Sequence, residues 1–131
     1  MSRSSTFDYS MAYTPSAPFI PIAIDGYEPT KPPVIVLAFV DSGADGTMLP
    51  EDILRAVGAE YEDTVRLRGA AGGVQQLDRY TVRIQIEHEI IHAVSAVATA
   101  AGSEALIGRD VLNHLVVTLN GPAGVTEVQI G

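Results

Sequence analysis

The chain has 131 residues, 47% of them hydrophobic, and 16 acidic against 8 basic side chains leave a formal net charge of −8. That length suits one domain able to bury a modest core. The acidic balance argues against a nucleic-acid binder, and the longest apolar run, seven residues from Val34 to Val40, falls far short of the ~20 that span a bilayer.

Residues 1–18 hold Ser, Thr, Tyr and two prolines without periodicity and read as a flexible arm, leaving 19–131 as the domain. No apolar stretch of signal-peptide type opens the chain. Phe19–Ile24 reads as a short strand that Pro21, lacking an N–H, confines to an edge. A loop follows over 26–33, with three prolines and a glycine. Val34–Val40 is then apolar throughout, as a strand buried on both faces would be. Pro50–Val57 has the marks of a helix: proline at the first position, Glu51 and Asp52 at the positive end, Gly58 as the stop. Residues 64–68 and 74–77 flank Gly69-Ala70-Ala71-Gly72-Gly73, a hairpin tip tolerant of positive φ. Val82, Ile84 and Ile86 alternate with polar neighbours, the period of a half-buried strand. Residues 90–98 are apolar on both parities and read as interior. Gly108–His114 permits one short helix, and 115–119 and 125–130 flank Asn120-Gly121-Pro122-Ala123-Gly124, a second hairpin. The sum is mainly β with one or two short helices.

Most of the chemical content lies in Asp41-Ser42-Gly43-Ala44-Asp45. A carboxylate where an apolar strand breaks into a Ser-Gly turn sits in an apolar setting yet reaches a cleft. As a bare triplet, Asp-Ser-Gly is an ordinary strand-end turn, so its surroundings decide. Two other chemistries share these letters. Ala44-Asp45-Gly46-Thr47 is similar to the nucleophile motif of haloacid dehalogenase-type phosphatases, but the nucleophilic carboxylate would fall on Gly43. The spacing of Asp41, Gly43, Asp45 and Gly46 imitates a calcium loop whose third position has no oxygen ligand and whose helix begins too early. His88 and His92 lie about 13 Å apart on a strand, too far to share a metal. With no cysteine and no third histidine nearby, no metal and no cofactor is implied. His114 has no Ser or Cys nucleophile in a recognisable arrangement. The lack of cysteine removes disulfide and thiolate chemistry and suits a cytoplasmic location. Arg66, Arg68, Arg79 and Arg83 surround the first hairpin, as solvated strand faces or as contacts to an acidic substrate or a partner subunit. Glu51, Asp52, Glu60, Glu62 and Asp63 read as solvated surface.

The Asp41-Ser42-Gly43-Ala44 segment, with Ala105-Leu106-Ile107-Gly108-Arg109-Asp110-Val111-Leu112 downstream, resembles the retropepsins, the retrovirus-type aspartic proteases. The Pro50 helix directly after the first motif looks more like cellular and bacterial members than viral ones. The resemblance spans residues 34–120 and implies a closed acid-protease barrel carrying one half-site per subunit. An aspartic endopeptidase needs two carboxylates on one water, so a homodimer is implied, with Asp41 of each copy at the two-fold axis and a peptide or protein as substrate. The positive mean hydropathy fits a subunit interface. By matching position, Ser42 would brace the two active-site loops, Gly43 would let them approach, and Ala44 would line the substrate channel. Asp45 and Arg109 would form a partly buried ion pair joining the loop to the C-terminal helix, with Leu106, Ile107 and Gly108 packed beneath. Gly69, Ala70, Ala71, Gly72 and Gly73 would form the flap over substrate. The hairpin after Leu115 departs from the short end strand by which viral members interlock. The alternative from another class is a catalytically silent dimer of the same fold that binds peptides.

Overall fold

Among the described residues of the computed structural model, 3–68 and 72–130, the chain forms ten strands and two short helices. Strand β1 (Arg3–Asp8) precedes β2 (Phe19–Asp25) and β3 (Val34–Val40), which pair antiparallel from Phe19↔Phe39 to Ile24↔Val34. After the Asp41 loop come β4 (Met48–Pro50) and α1 (Glu51–Ala56). Two long strands follow, β5 (Glu60–Arg68) and β6 (Val74–Ile86), then β7 (Glu89–Thr99). The chain closes with β8 (Ala105–Ile107), α2 (Arg109–Leu112), β9 (Val116–Asn120) and β10 (Val125–Ile130).

Six strands close into a barrel in the order β2-β3-β8-β4-β7-β6, because β6 returns to pair with β2 over Ala23–Asp25. Strand β5 adds outside β6, and a separate three-stranded sheet has the order β1-β10-β9. The barrel interior follows from period-2 alternation. Ile20, Ile22 and Ile24 of β2 and Val82, Ile84 and Ile86 of β6 are buried, and each such side chain contributes about 1.5–3 kcal/mol of transfer free energy. Pro21 is tolerated because it faces only Leu37 of β3; pairing of β2 with β6 begins two residues later, at Ala23. The closed mainly β barrel with two short helices is therefore as the sequence predicts.

Four expectations change. Residues 1–18, read as a flexible arm, contain β1, whose backbone pairs with β10 from Arg3↔Ile130 to Asp8↔Val125, and Ser10 bridges Ala17. Strand pairing at long range needs no amphipathic period, so nothing local announces it. Strand β3 is not buried on both faces: Ile35 and Leu37 are exposed, since only alternate residues can face the barrel interior. The helix begins at Glu51, with Pro50 as its N-cap. In β7 the second half is interior, but Ile90, His92 and Ala93 are exposed. A bulge between Val82↔Val94 and Ile84↔Ile91 explains this, with Ala93 at φ 56°. The bulge rotates the strand and breaks the simple parity.

Candidate active site

The Asp41 loop owes its shape to a crossing in the barrel. Strand β3 runs parallel to β8, while β4 lies antiparallel on the other side of β8. Residues 41–47 must therefore wrap around the end of β8. That end is Gly108. A Cβ there would lie 2.7 Å from the Gly46 carbonyl oxygen and 2.8 Å from that of Ala44. Only glycine lets the two backbones approach so closely.

Hydrogen bonds then staple the loop to residues 107–110. The Asp41 N–H donates to the Ile107 carbonyl (3.1 Å), and the Arg109 N–H donates to the Ala44 carbonyl (2.9 Å). Thr47, 0% exposed, is the hub. Its N–H donates to Asp110 Oδ2 (3.1 Å), its hydroxyl donates to Asp110 Oδ1 (2.9 Å), and that hydroxyl accepts the Gly108 N–H at 3.3 Å. Asp110 also accepts the Val111 N–H at 2.9 Å. Sequence reasoning assigned no role to Thr47 or Asp110. The available signal was an Asp in the first turn of a short helix directly after Gly-Arg.

Asp41 itself is half-buried, and its Oδ1 accepts the Gly43 N–H at 2.9 Å. This turn holds the carboxylate at the loop's start. Ser42 and Gly43 are exposed, and the Ser42 carbonyl accepts from Arg109 Nη1 at 2.7 Å. Arg109 also pairs with Asp45, but the Asp45 side chain is 95% exposed and that of Arg109 44%, so the pair is not buried as expected. Asp45 stands at the mouth of a cavity, whereas the buried coupling between loop and helix runs through Thr47 and Asp110.

That cavity, about 580 Å³, lies between Ala44, Asp45 and Gly46 on one side and Val65 and Leu67 of β5 on the other. A second hollow of about 560 Å³ shares Met48 and Leu67 with it and continues past Gln75 and Leu77 of β6. The two make a cleft under the β5–β6 hairpin. Of the residues predicted to form its tip, Gly72 (φ 85°) and Gly73 immediately precede the return strand β6. Gly69, Ala70 and Ala71 lie outside the described residues.

The hairpin's base is held by charge. Arg79 bonds Asp63 in bidentate fashion, at 2.7 and 2.6 Å, and lies 3.5 Å from Glu62. Glu62 also accepts from Thr81 and Ser95, both at 2.8 Å, so three strands meet there. The Arg79 hydrogen bonds hold the Asp63 carboxyl below its ordinary value. Arg83 pairs with Asp25, lowering its pKa likewise, and stacks 4.6 Å from the Tyr27 ring centroid. Two of the four hairpin arginines are thus committed to structure. His92 Nδ1 lies 3.3 Å from the Tyr27 hydroxyl, and no cluster of three potential metal ligands occurs among the described residues.

A closed β-barrel with an Asp-Ser-Gly loop wrapped around a Gly-Arg strand end defines the retropepsin-like class. Comparison gives the same class. The family of gag-polyprotein putative aspartyl proteases matches residues 33–114, and the chain belongs to it. Among solved structures it is similar to a retropepsin-like aspartic protease from Rickettsia conorii, with a TM-score of 0.68 at 11% identity, covering 99% of this chain and 93% of that one. At that identity the likeness is one of fold. No curated protein matches the chain by sequence.

Proposed function

We propose that the chain is one half of an aspartic endopeptidase, in which Asp41 of two copies meets at a two-fold axis. The observation that carries this reading is the Asp41 loop. A single Asp-Ser-Gly turn is held by Gly43 N–H and by the end of β8, beside a cleft roofed by a hairpin, in a chain of an aspartyl protease family. Two carboxylates ~3 Å apart cannot both ionise cheaply, so such a pair would hold one proton between them. The ionised member takes a proton from water, and the protonated one donates to the scissile carbonyl oxygen. The water oxygen attacks the carbonyl carbon and a tetrahedral diol forms. Proton return to the amide nitrogen then breaks the C–N bond. The cleft, apolar along Met48, Val65 and Leu67, fits an extended peptide lying beneath the hairpin.

The test is hydrolysis of a mixed peptide library by the native protein and by Asp41→Asn. The expected result is cleavage by the first, no cleavage by the second, and inhibition by a statine-type diol mimic but not by a chelator. Near-native rates in Asp41→Asn would overturn the mechanism. Peptide binding without turnover in the native protein would instead establish a silent binding module.

A further inference from the structure

We infer that the cavity beside the Asp41 loop holds a subsite for an acidic side chain of the substrate, read by His92 of β7 and by His114 just past α2. This adds a substrate class to the endopeptidase reading above and rests on it. The cavity of about 580 Å³ extends beyond the loop and β5, and its far wall carries Ile91, His92 and Ala93 together with His114. A peptide that runs beneath the hairpin and past Asp45 meets this wall at a position removed from the bond to be cut.

His92 is exposed, yet its ring is positioned. The bulge in β7 turns it out of the barrel, and Tyr27 reaches it from the loop after β2. The Tyr27 hydroxyl accepts the Ala93 N–H at 3.0 Å and lies 3.3 Å from His92 Nδ1. With that N–H accepted, the Tyr27 proton is available to Nδ1, which puts the neutral ring's own hydrogen on Nε2. Tyr27 is fixed in turn, because Arg83 stacks 4.6 Å from its ring centroid and pairs with Asp25. Nε2–H is thus left as the ring's remaining donor on the cavity wall.

The other charged groups facing the cavity are already paired. Asp45 meets Arg109, and both Asp110 oxygens hold Thr47. Arg79 is bidentate to Asp63 and lies beside Glu62, which also takes the Ser95 hydroxyl. Among the described residues, what remains for a ligand is His92 Nε2–H and the exposed imidazole of His114, beside the aliphatic surface of Met48, Val65 and Leu67. A Glu side chain matches this wall, its methylenes on the aliphatic surface and its carboxylate on the rings. The net charge of −8 repels an acidic substrate at neutral pH. Imidazoles gain charge as pH falls through about 6.5, so the local attraction strengthens in weak acid, where the hydrogen bond becomes charge-assisted on both sides.

A peptide bound by the cleft, taken from the mixed library, is resynthesised with Glu, Gln or Lys at each position in turn. Calorimetry measures its binding to Asp41→Asn, and kcat/KM is measured on the native protein. Both are run at about pH 5.5 and about pH 7.5, on either side of the imidazole range. At one position Glu should exceed Gln by about 5–10-fold at the lower pH, as a charge-assisted bond on an exposed wall provides. The ratio should fall toward unity at the higher pH. It should drop in His92→Gln and in His114→Gln, and vanish when both are replaced. His114→Lys, whose charge persists at the higher pH, should keep the Glu preference there, which a merely structural histidine would not. No Glu-preferring position, or one that survives replacement of both histidines, overturns the subsite; cleavage by the native protein then leaves the endopeptidase reading standing. Glu-selective binding without cleavage keeps the subsite and removes the endopeptidase. A protein that neither binds nor cuts any peptide of the library loses both.

Discussion

Thr47→Val should destabilise this protein far more than Arg109→Ala, although only the second removes a charge. Valine keeps the shape of threonine, so no cavity opens, and the loss is one of hydrogen bonds. The hydroxyl donates to Asp110 at 2.9 Å and accepts the Gly108 N–H at 3.3 Å, with Thr47 fully buried. A hydrogen bond to a charged group contributes about 1.5–3 kcal/mol, and a buried donor left unsatisfied costs about 1–3 kcal/mol. The Gly108 bond is long, so its share lies at the low end, and the sum is about 3 kcal/mol. Arg109 and Asp45 are solvent-exposed, and exposed ion pairs are worth about 0–1 kcal/mol. Urea unfolding at one protein concentration measures both. With a slope of about 1–3 kcal/mol per molar, Thr47→Val should lower the midpoint by about 1–3 M. Arg109→Ala should lower it by a third of that or less. Equal losses in the two variants would refute the reasoning, and would make the Asp45–Arg109 pair the true brace.

The remaining expectations concern packing and pH. Gly108→Ala forces a Cβ to within 2.7–2.8 Å of the Gly46 and Ala44 carbonyls, a strain of about 1–3 kcal/mol or more. Gly46→Ala meets nothing nearer than Asp110 Oδ2 at 3.9 Å and should be tolerated in the same unfolding assay. The Asp63 carboxyl is depressed by Arg79, so its contribution is full above the ordinary Asp range and is lost as pH falls through the lower folded value. Arg79→Met should accordingly flatten the pH dependence of stability below about pH 4; an unchanged acid limb would show that the clamp contributes nothing. On the proposed paired-Asp41 mechanism, the rate of peptide hydrolysis should be bell-shaped in pH, because a dyad that works with one proton fails when it holds two or none. A profile with only one limb would remove the shared proton from the mechanism.

The sequence by itself determined the parts whose signals are local. Alternation at Val82, Ile84 and Ile86 marks the inward face of β6 because side chains on a strand alternate whatever the strand pairs with. Pro50 and Gly58 bound α1, and the four residues from Gly121 to Gly124 turn β9 into β10, for reasons confined to a few backbone angles. Asp-Ser-Gly and Gly-Arg were legible as a pair since each has its own short motif. Tertiary structure alone decided the rest. That Gly108 must be glycine depends on β8 lying between β3 and β4, a contact across more than sixty residues of chain. Thr47 became a hub, and the Asp45–Arg109 pair a surface contact, through burial that no window of sequence records. Strand β1 formed on an arm without periodicity because β10 offered it an edge. Whether an apolar strand is core or exposed edge is likewise a matter of neighbours. Val34–Val40 reads as interior by composition, yet Ile35 and Leu37 lie in solvent, because a sheet buries only the faces that something else covers.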